Sequence, residues 1–288
     1  MNTQKMRFSS CVMLLMLSVL LLVAKSGNGV ATTAPDCGSW RIVPSPNLTR
    51  CNSLAAVKVL SSSDIWAVGQ AYKTPHSTTS QALTEHWDGT QWSIVASPDL
   101  HASRSLIAIS AVSTSDIWAV GFTGTRTLIE HWNGSHWNII HTPGEGTYAR
   151  LSSVSALAAN NIWAVGYTNT TGGYKTLVEH WNGSSWSIVP SPNRGSYNDM
   201  LVAISTASAK NIWAVGWYRD SSHALDTIPY MLHWNGTTWS VAKTPNPGSY
   251  LYFLVGLAQV PGTGKLWAVG YWQYHNYATV KTLTEFYC

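Results

Sequence analysis

Two polar side chains recur in register along this chain in a pattern with the makings of acid–base or metal chemistry. Glu85, Glu130, Glu179 and Glu285 occupy one position, and His86, His131, His180 and His233 occupy the adjoining one. A carboxylate beside an imidazole is the pairing from which general acid–base sites and metal centres are built. Repetition argues against that use, because copies spread through a repetitive fold cannot converge on one metal ion or one substrate atom. The expectation is that each Glu accepts backbone or hydroxyl hydrogen bonds within its own repeat, as buried polar groups must. Apart from this column and the repeated turn residues Asp64 and Asp116, the acids are Asp36, Asp88, Asp99, Glu145, Asp199, Asp220 and Asp226. A glycoside hydrolase needs two carboxyl groups roughly 5–9.5 Å apart, and no spacing here forces such a pair. There is no nucleophile motif, no phosphate-cradling glycine loop and no Cys/His metal spacing. No catalytic residue, metal ligand or cofactor is assigned.

The elements that carry these residues are defined by tryptophan. Five segments share a core: Asp64-Ile-Trp-Ala-Val-Gly69, Asp116-Ile-Trp-Ala-Val-Gly121, Asn161-Ile-Trp-Ala-Val-Gly166, Asn211-Ile-Trp-Ala-Val-Gly216 and Lys265-Leu-Trp-Ala-Val-Gly270. Four are followed by a second block of the form His-Trp-Asn/Asp-Gly-x-x-Trp, at 86–92, 131–137, 180–186 and 233–239. Each unit reads as four short strands. An apolar strand A of the Leu54-Ala-Ala-Val57 kind precedes strand B, which is Ile-Trp-Ala-Val-Gly. Strand C ends in Glu-His-Trp, and strand D is Trp-Ser-Ile-Val or a variant of it. Asp or Asn closes the A–B turn, Asn-Gly or Asp-Gly the C–D hairpin, and Pro ends strand D. The same Asn-Gly runs match the N-glycosylation pattern, but the hairpin already calls for them. Helical repeats are excluded, because no unit sustains a 3.6-residue apolar period.

Four antiparallel strands in about 50 residues describe a β-propeller blade. The chain is therefore expected to be all-β, a five-bladed propeller of four-stranded blades over residues 32–288. The blades fall at about 53–97, 105–142, 151–190, 201–243 and 251–288, the last completed by 37–45. The last unit stops after strand C, and residues 36–47 are a strand D with no blade before it. The N-terminal strand should complete the fifth blade and lock the ring. In that register Cys288 and Cys37 fall at adjacent positions of a C–D turn, within reach of a disulfide, with Cys51 as the odd cysteine.

The Trp-Ala-Val-Gly run followed by Gly-x-x-Trp resembles bacterial extracellular propeller repeats and is distantly similar to the Asp-box and kelch groups. The likeness to the Asp-box is partial, since Trp87, Trp132, Trp181 and Trp234 stand where that motif has Asp. In architecture alone the chain is similar to tachylectin-type sugar-binding propellers, and no binding motif of theirs is present to carry over. The resemblance implies the fold and leaves the ligand open.

Length variation locates the functional face. From the Gly of strand B to the aromatic of strand C the distances are 18, 11, 15, 18 and 17 residues, whereas the C and D tryptophans are always 5 apart. The B–C loops open on the same face as the D–A crossovers, and loops on a rigid scaffold usually carry function. That face is aromatic. Phe122, Tyr167, Trp217, Tyr271 and Trp272 follow strand B, and Tyr148, Tyr197 and Tyr250 recur in the crossovers. Such rings suit sugar faces or exposed peptide, although the residue just after strand B also has a structural use, packing between blades. The expected function is a non-catalytic binding module for carbohydrate or a cell-surface polymer. The alternatives are a protein-interaction scaffold and a glycan-active hydrolase or lyase using the loop acids.

Residues 1–31 read as a secretory signal, with Lys5 and Arg7 ahead of the apolar stretch Cys11–Ala24 and small residues at Gly29-Val30-Ala31. The mature protein is expected to be secreted or at the cell surface, without a membrane partner. Removing Lys5, Arg7 and Lys25 leaves 14 basic against 13 acidic residues. So nearly neutral a body gives no electrostatic reason to expect nucleic acid.

Overall fold

Each Ile-Trp-Ala-Val-Gly run is β-branched and aromatic, bounded on one side by a turn residue, which is the chemistry of a strand covered on both faces. In the computed structural model, which describes residues 40–98, 102–143, 148–220, 227–245, 251–273 and 280–287, these runs are the second strands of five antiparallel sheets. The first sheet is β1 (Cys51–Ser61), β2 (Asp64–Tyr72), β3 (Ser80–Trp87) and β4 (Trp92–Ile94). The second is β5 (Arg104–Ser113), β6 (Asp116–Thr123), β7 (Arg126–Trp132) and β8 (Trp137–Ile139). The third is β9 (Ala149–Ala158), β10 (Asn161–Thr170), β11 (Gly173–Trp181) and β12 (Trp186–Ile188). The fourth is β13 (Asn198–Ser208), β14 (Asn211–Arg219), β15 (Ile228–Trp234) and β16 (Trp239–Ala242), and the fifth has only β17 (Leu251–Gln259), β18 (Leu266–Gln273) and β19 (Val280–Tyr287).

Strands pair in chain order within every sheet, and successive sheets meet through their first strands: β1 on β5, β5 on β9, β9 on β13, β13 on β17. The A strands thus line the centre and the sheets radiate from it as blades, the arrangement of a β-propeller. Hydroxyls stitch the centre from blade to blade. Ser110 Oγ accepts the Ala156 N–H at 3.0 Å, and Ser153 Oγ accepts the Ile204 N–H at 3.3 Å.

Tryptophan sets how one blade stacks on the next. Trp66 of the first blade lies against Trp132 and Trp137 of the second, at 4.7 and 5.5 Å between ring centroids. Trp118 meets Trp181 and Trp186 at 5.0 and 5.5 Å, and Trp163 meets Trp234 and Trp239 at 5.0 and 5.7 Å. These three B-strand indoles are therefore knobs held between the C and D indoles of the following blade, and Trp213 meets Tyr287 at 4.8 Å. The Gly after it has its own reason. A Cβ on Gly166 would sit 1.9 Å from the Arg150 carbonyl oxygen, so only glycine lets strand A pass this close.

The C–D hairpins are four-residue loops between paired tryptophans such as Trp181 and Trp186. Asn182 Oδ1 accepts from the N–H groups of Ser184 and Ser185 and from the Ser184 hydroxyl, and Gly183 takes φ +100°. The Asn side chain is thereby committed to the turn.

Residues 40–47 carry no strand, Trp40 and Ile42 are fully exposed, and among the described residues the fifth sheet has no fourth strand. In the other blades a four-residue turn tethers strand D to its strand C, whereas here nearly the whole chain separates them, so no local tether holds the pair. Cys37 and Cys288 lie outside the described residues. Cys51 is not the odd cysteine, because it is disulfide-bonded. The register that would set Cys37 beside Cys288 needs Trp40 opposite Tyr287, and that pairing is not formed.

Candidate functional site

The recurring polar columns are structural. Asp64 Oδ1 accepts from Trp66 Nε1 and pairs with His86 Nε2, each at 2.9 Å, and Asp116 does the same for Trp118 and His131. Asn161 and Asn211 serve their own blades alike, with Trp163 and His180 and with Trp213 and His233. Each His also lies against its Trp, at 4.2–4.5 Å between ring centroids. Burial pushes the His180 and His233 imidazoles below their ordinary value, toward the neutral form. The A–B turn residue is thus the acceptor that fixes the indole knob.

The Glu column is buried, but its donors are not in the same blade. Both oxygens of Glu130 accept from Ser97 Oγ at 2.9 Å, and Ser97 belongs to the crossover leaving the first blade. Thr142, leaving the second blade, donates to Glu179 of the third, and the Ser45 hydroxyl, near Glu85, opposes the rise that burial gives its carboxyl. The expectation of a donor within the same blade is corrected. The Ser/Thr-Pro tail of one blade latches onto the carboxylate of the next, because the crossover must pass over that blade's strand C to reach its centre.

On the B–C/D–A face the aromatic residues fall into groups built across blade boundaries. Arg150 of β9 lays its guanidinium 3.7 Å above the ring of Phe122, at the end of β6, and 4.5 Å from the ring of Tyr148. Tyr174 joins them, 6.3 Å from Tyr148 and 5.0 Å edge-on to Tyr167. Burial raises the Tyr167 hydroxyl, and the Arg150 charge opposes the shift. A second group sits between the fourth and fifth blades. Trp217 is edge-on to Phe253 at 5.8 Å, Phe253 stacks on Tyr271 at 5.0 Å, and Arg219 lies 5.5 Å over Trp217. Trp272 stacks on Tyr252 at 5.9 Å with Lys281 at 5.2 Å, and Arg194 lies 5.8 Å over Tyr218. Tyr197 stands exposed, and Tyr250 is outside the described residues.

Phe122, Tyr148 and Tyr167 are therefore together, as are Trp217 and Tyr271, while Trp272 and Tyr197 stand apart from both groups. Sequence reasoning missed Arg150, Arg194, Arg219, Tyr174, Tyr252 and Phe253. Arg150 and Phe253 share the position just before the constant Leu of strand A, and that alignment was the available signal. The acids of this face are already engaged. Asp199 is fully buried, accepts the N–H groups of Arg194 and Gly195 at 2.7 and 2.8 Å, and has Lys175 Nζ at 3.4 Å. Asp220 accepts from Ser196 Oγ at 2.7 Å, and Asp99, Glu145 and Asp226 lie outside the described residues.

No protein-family model and no curated protein matches this chain. Solved structures do match. YCF48 bound to D1 peptide aligns at 14% identity with a TM-score of 0.49, covering 82% of this chain and 70% of that one. YCF48 from Cyanidioschyzon merolae aligns at 14% identity and 0.46, covering 84% and 73%. U3-55K aligns at 8% identity and 0.45, covering 81% of each chain. At such distances these likenesses carry no argument about what the chain binds. The propeller reading rests on this chain's own sheets and their order.

Proposed function

We propose that this chain is a non-catalytic binding module, a protein-interaction propeller that receives its partner on the B–C/D–A face. The observation that carries the reading is the covering of the ring faces: Arg150 lies on Phe122, Arg219 over Trp217, and Tyr252 and Lys281 against Trp272. Sugar recognition needs open, flat ring faces. What is offered here is ring edges and guanidinium N–H groups, the Tyr, Trp and Arg composition of protein-binding hot spots. The signal-like N-terminus supports placing the module outside the cytoplasm.

The proposal includes a ring closed by the N-terminal strand. The Ser45 hydroxyl acts on the Glu85 carboxyl as that of Ser97 does on Glu130, which supports placing the tail before β1 where a crossover from a preceding blade would run. Trp40–Val43 would then run beside β19 as the missing fourth strand.

Panning a random peptide library over the immobilised protein tests the function. Peptides should be enriched, and Trp217→Ala with Trp272→Ala should weaken their binding by about tenfold or more, the loss expected of hot-spot rings. The melting temperature should hardly move. A large fall in melting temperature with binding intact would show instead that these rings serve only the core.

A further inference from the structure

We infer that the partner segment is acidic and that Arg150 is a recognition residue for its carboxylates, a deepening that rests on the protein-binding reading above. The first observation is a separation of charge that the near-neutral total conceals. Of the fourteen Lys and Arg side chains among the described residues, nine stand at the B–C/D–A end, in B–C loops, at the ends of B strands, at the starts of C and A strands or, as Arg50 and Arg194, in the segments that lead into A strands. The described acids at that end are Asp199 and Asp220, one buried against Lys175 and the other held by Ser196. Even with Asp99, Glu145 and Asp226 of the same loops added, cations outnumber acids by nine to five. The opposite face reverses the sign, with Asp64, Asp88 and Asp116 against Lys210 and Lys265. A field of one sign over one face steers partners of the other sign toward it.

The second observation is how the cations are held. Every cation–ring contact among the described residues is on this face. Arg150 is half-buried, stacked on Phe122 and beside Tyr148, and its side chain makes no hydrogen bond or ion pair among the described residues. The Nε of Arg150 and of Arg219 is buried without an acceptor and out of a partner's reach, so the edge each offers is its Nη groups. Stacking fixes the plane of a guanidinium and removes part of its water, while its N–H edges stay available in the plane. A planar donor edge without an acceptor matches a carboxylate, which takes two parallel N–H bonds. Single-stranded nucleic acid and uronate sugars would use the ring faces for stacking, and here a cation or a neighbouring ring takes a face of Phe122, Trp217 and Trp272. An acidic polypeptide asks only for the edges.

Fluorescence anisotropy with a fluorescein-labelled hexaglutamate peptide tests this, with hexaserine, oligothymidylate and oligogalacturonate as comparators. Hexaglutamate should bind saturably and about tenfold or more tighter than each comparator, and should weaken by about tenfold between low and high salt as the charges are screened. Arg150→Met should weaken hexaglutamate by about tenfold, and Arg150→Lys should restore little of it, because an ammonium lacks the planar fork. Arg219→Met supplies a second test should Arg150→Met shift the melting temperature. Equal binding of hexaserine, tighter binding of oligothymidylate or oligogalacturonate, or folded Arg150 and Arg219 variants that bind like the parent would overturn the inference. Enrichment of neutral peptides with no hexaglutamate binding would overturn it while leaving the protein-binding reading intact. A library that yields no peptide would end both.

Discussion

Trp267→Ala will destabilise this chain by about 3–5 kcal/mol, the loss that follows removal of a buried indole. The expectation runs against the exposure of the side chain. Trp267 is 47% exposed and Val269 46%, whereas their counterparts Trp118 and Val120 are 2% and 0% exposed. At the other end of the chain Val57 is 61% exposed, while its counterpart Ile109 is 9%. The same positions are thus covered wherever two blades meet and bare only at the two ends. The receiving pair is also in place. Trp87 and Trp92 stand 5.9 Å apart at 51°, which is the geometry of Trp132 and Trp137, at 5.9 Å and 52°, around their knob. Ring closure would seat Trp267 between Trp87 and Trp92 and bury both ends. Urea unfolding of Trp267→Ala beside Trp118→Ala checks it. Similar losses support the closed ring, and a loss under about 1 kcal/mol for Trp267→Ala alone means that its indole stays in solvent.

Stability will also fall as pH rises from about 4.5 to about 7, and Glu130 will be responsible for a separable part of that fall. Burial pushes its carboxyl from 4.5 up to about 7, with the Ser97 hydrogen bond and the Arg104 charge pulling the other way. A folded-state value above the unfolded one means that the native chain holds the extra proton across this window. Its contribution is therefore full below 4.5 and is lost as pH passes through 7. At about 1.4 kcal/mol per unit the loss is about 3 kcal/mol. Glu85 and Glu285 are raised by burial as well and add in the same sense, whereas the lowered His180 and His233 oppose it. The difference between the parent and Glu130→Gln isolates the one group. The amide still accepts from Ser97 and cannot ionise, so its urea midpoint should depend less on pH and exceed that of the parent at pH 8. Parallel pH profiles would show that Glu130 is not the titrating group. Glu130→Ala, which leaves Ser97 without its acceptor, should cost about 1–3 kcal/mol at pH 5.

The blade could be read from the sequence because its residues repeat for a local reason. Ile-Trp-Ala-Val-Gly, the paired tryptophans and the Asn-Gly loop each specify geometry within a few residues, so period and strand order followed directly. Contacts between blades were not legible in this way. Ser97 and Glu130 lie 33 residues apart, and nothing near either one names its partner. The double duty of Asp116, accepting from both Trp118 and His131, was hidden for the same reason, since as a turn residue it already had a sufficient local explanation. At the candidate site the loop aromatics were visible as residues that vary on a constant frame. Arg150 was not, because its ring partner Phe122 precedes it by 28 positions and belongs to another blade. Net charge misled in a related way, because a sum over the chain cannot show that cations gather at one end of every sheet.

The location of the partner is tested most directly by amide hydrogen exchange of the intact protein with and without a library-selected peptide. The account predicts slowed exchange at the B–C/D–A end, in residues 148–151, 167–175 and 216–219, with the A–B and C–D turns unchanged. Slowed exchange confined to those turns, at 113–116 and 133–136, would contradict it.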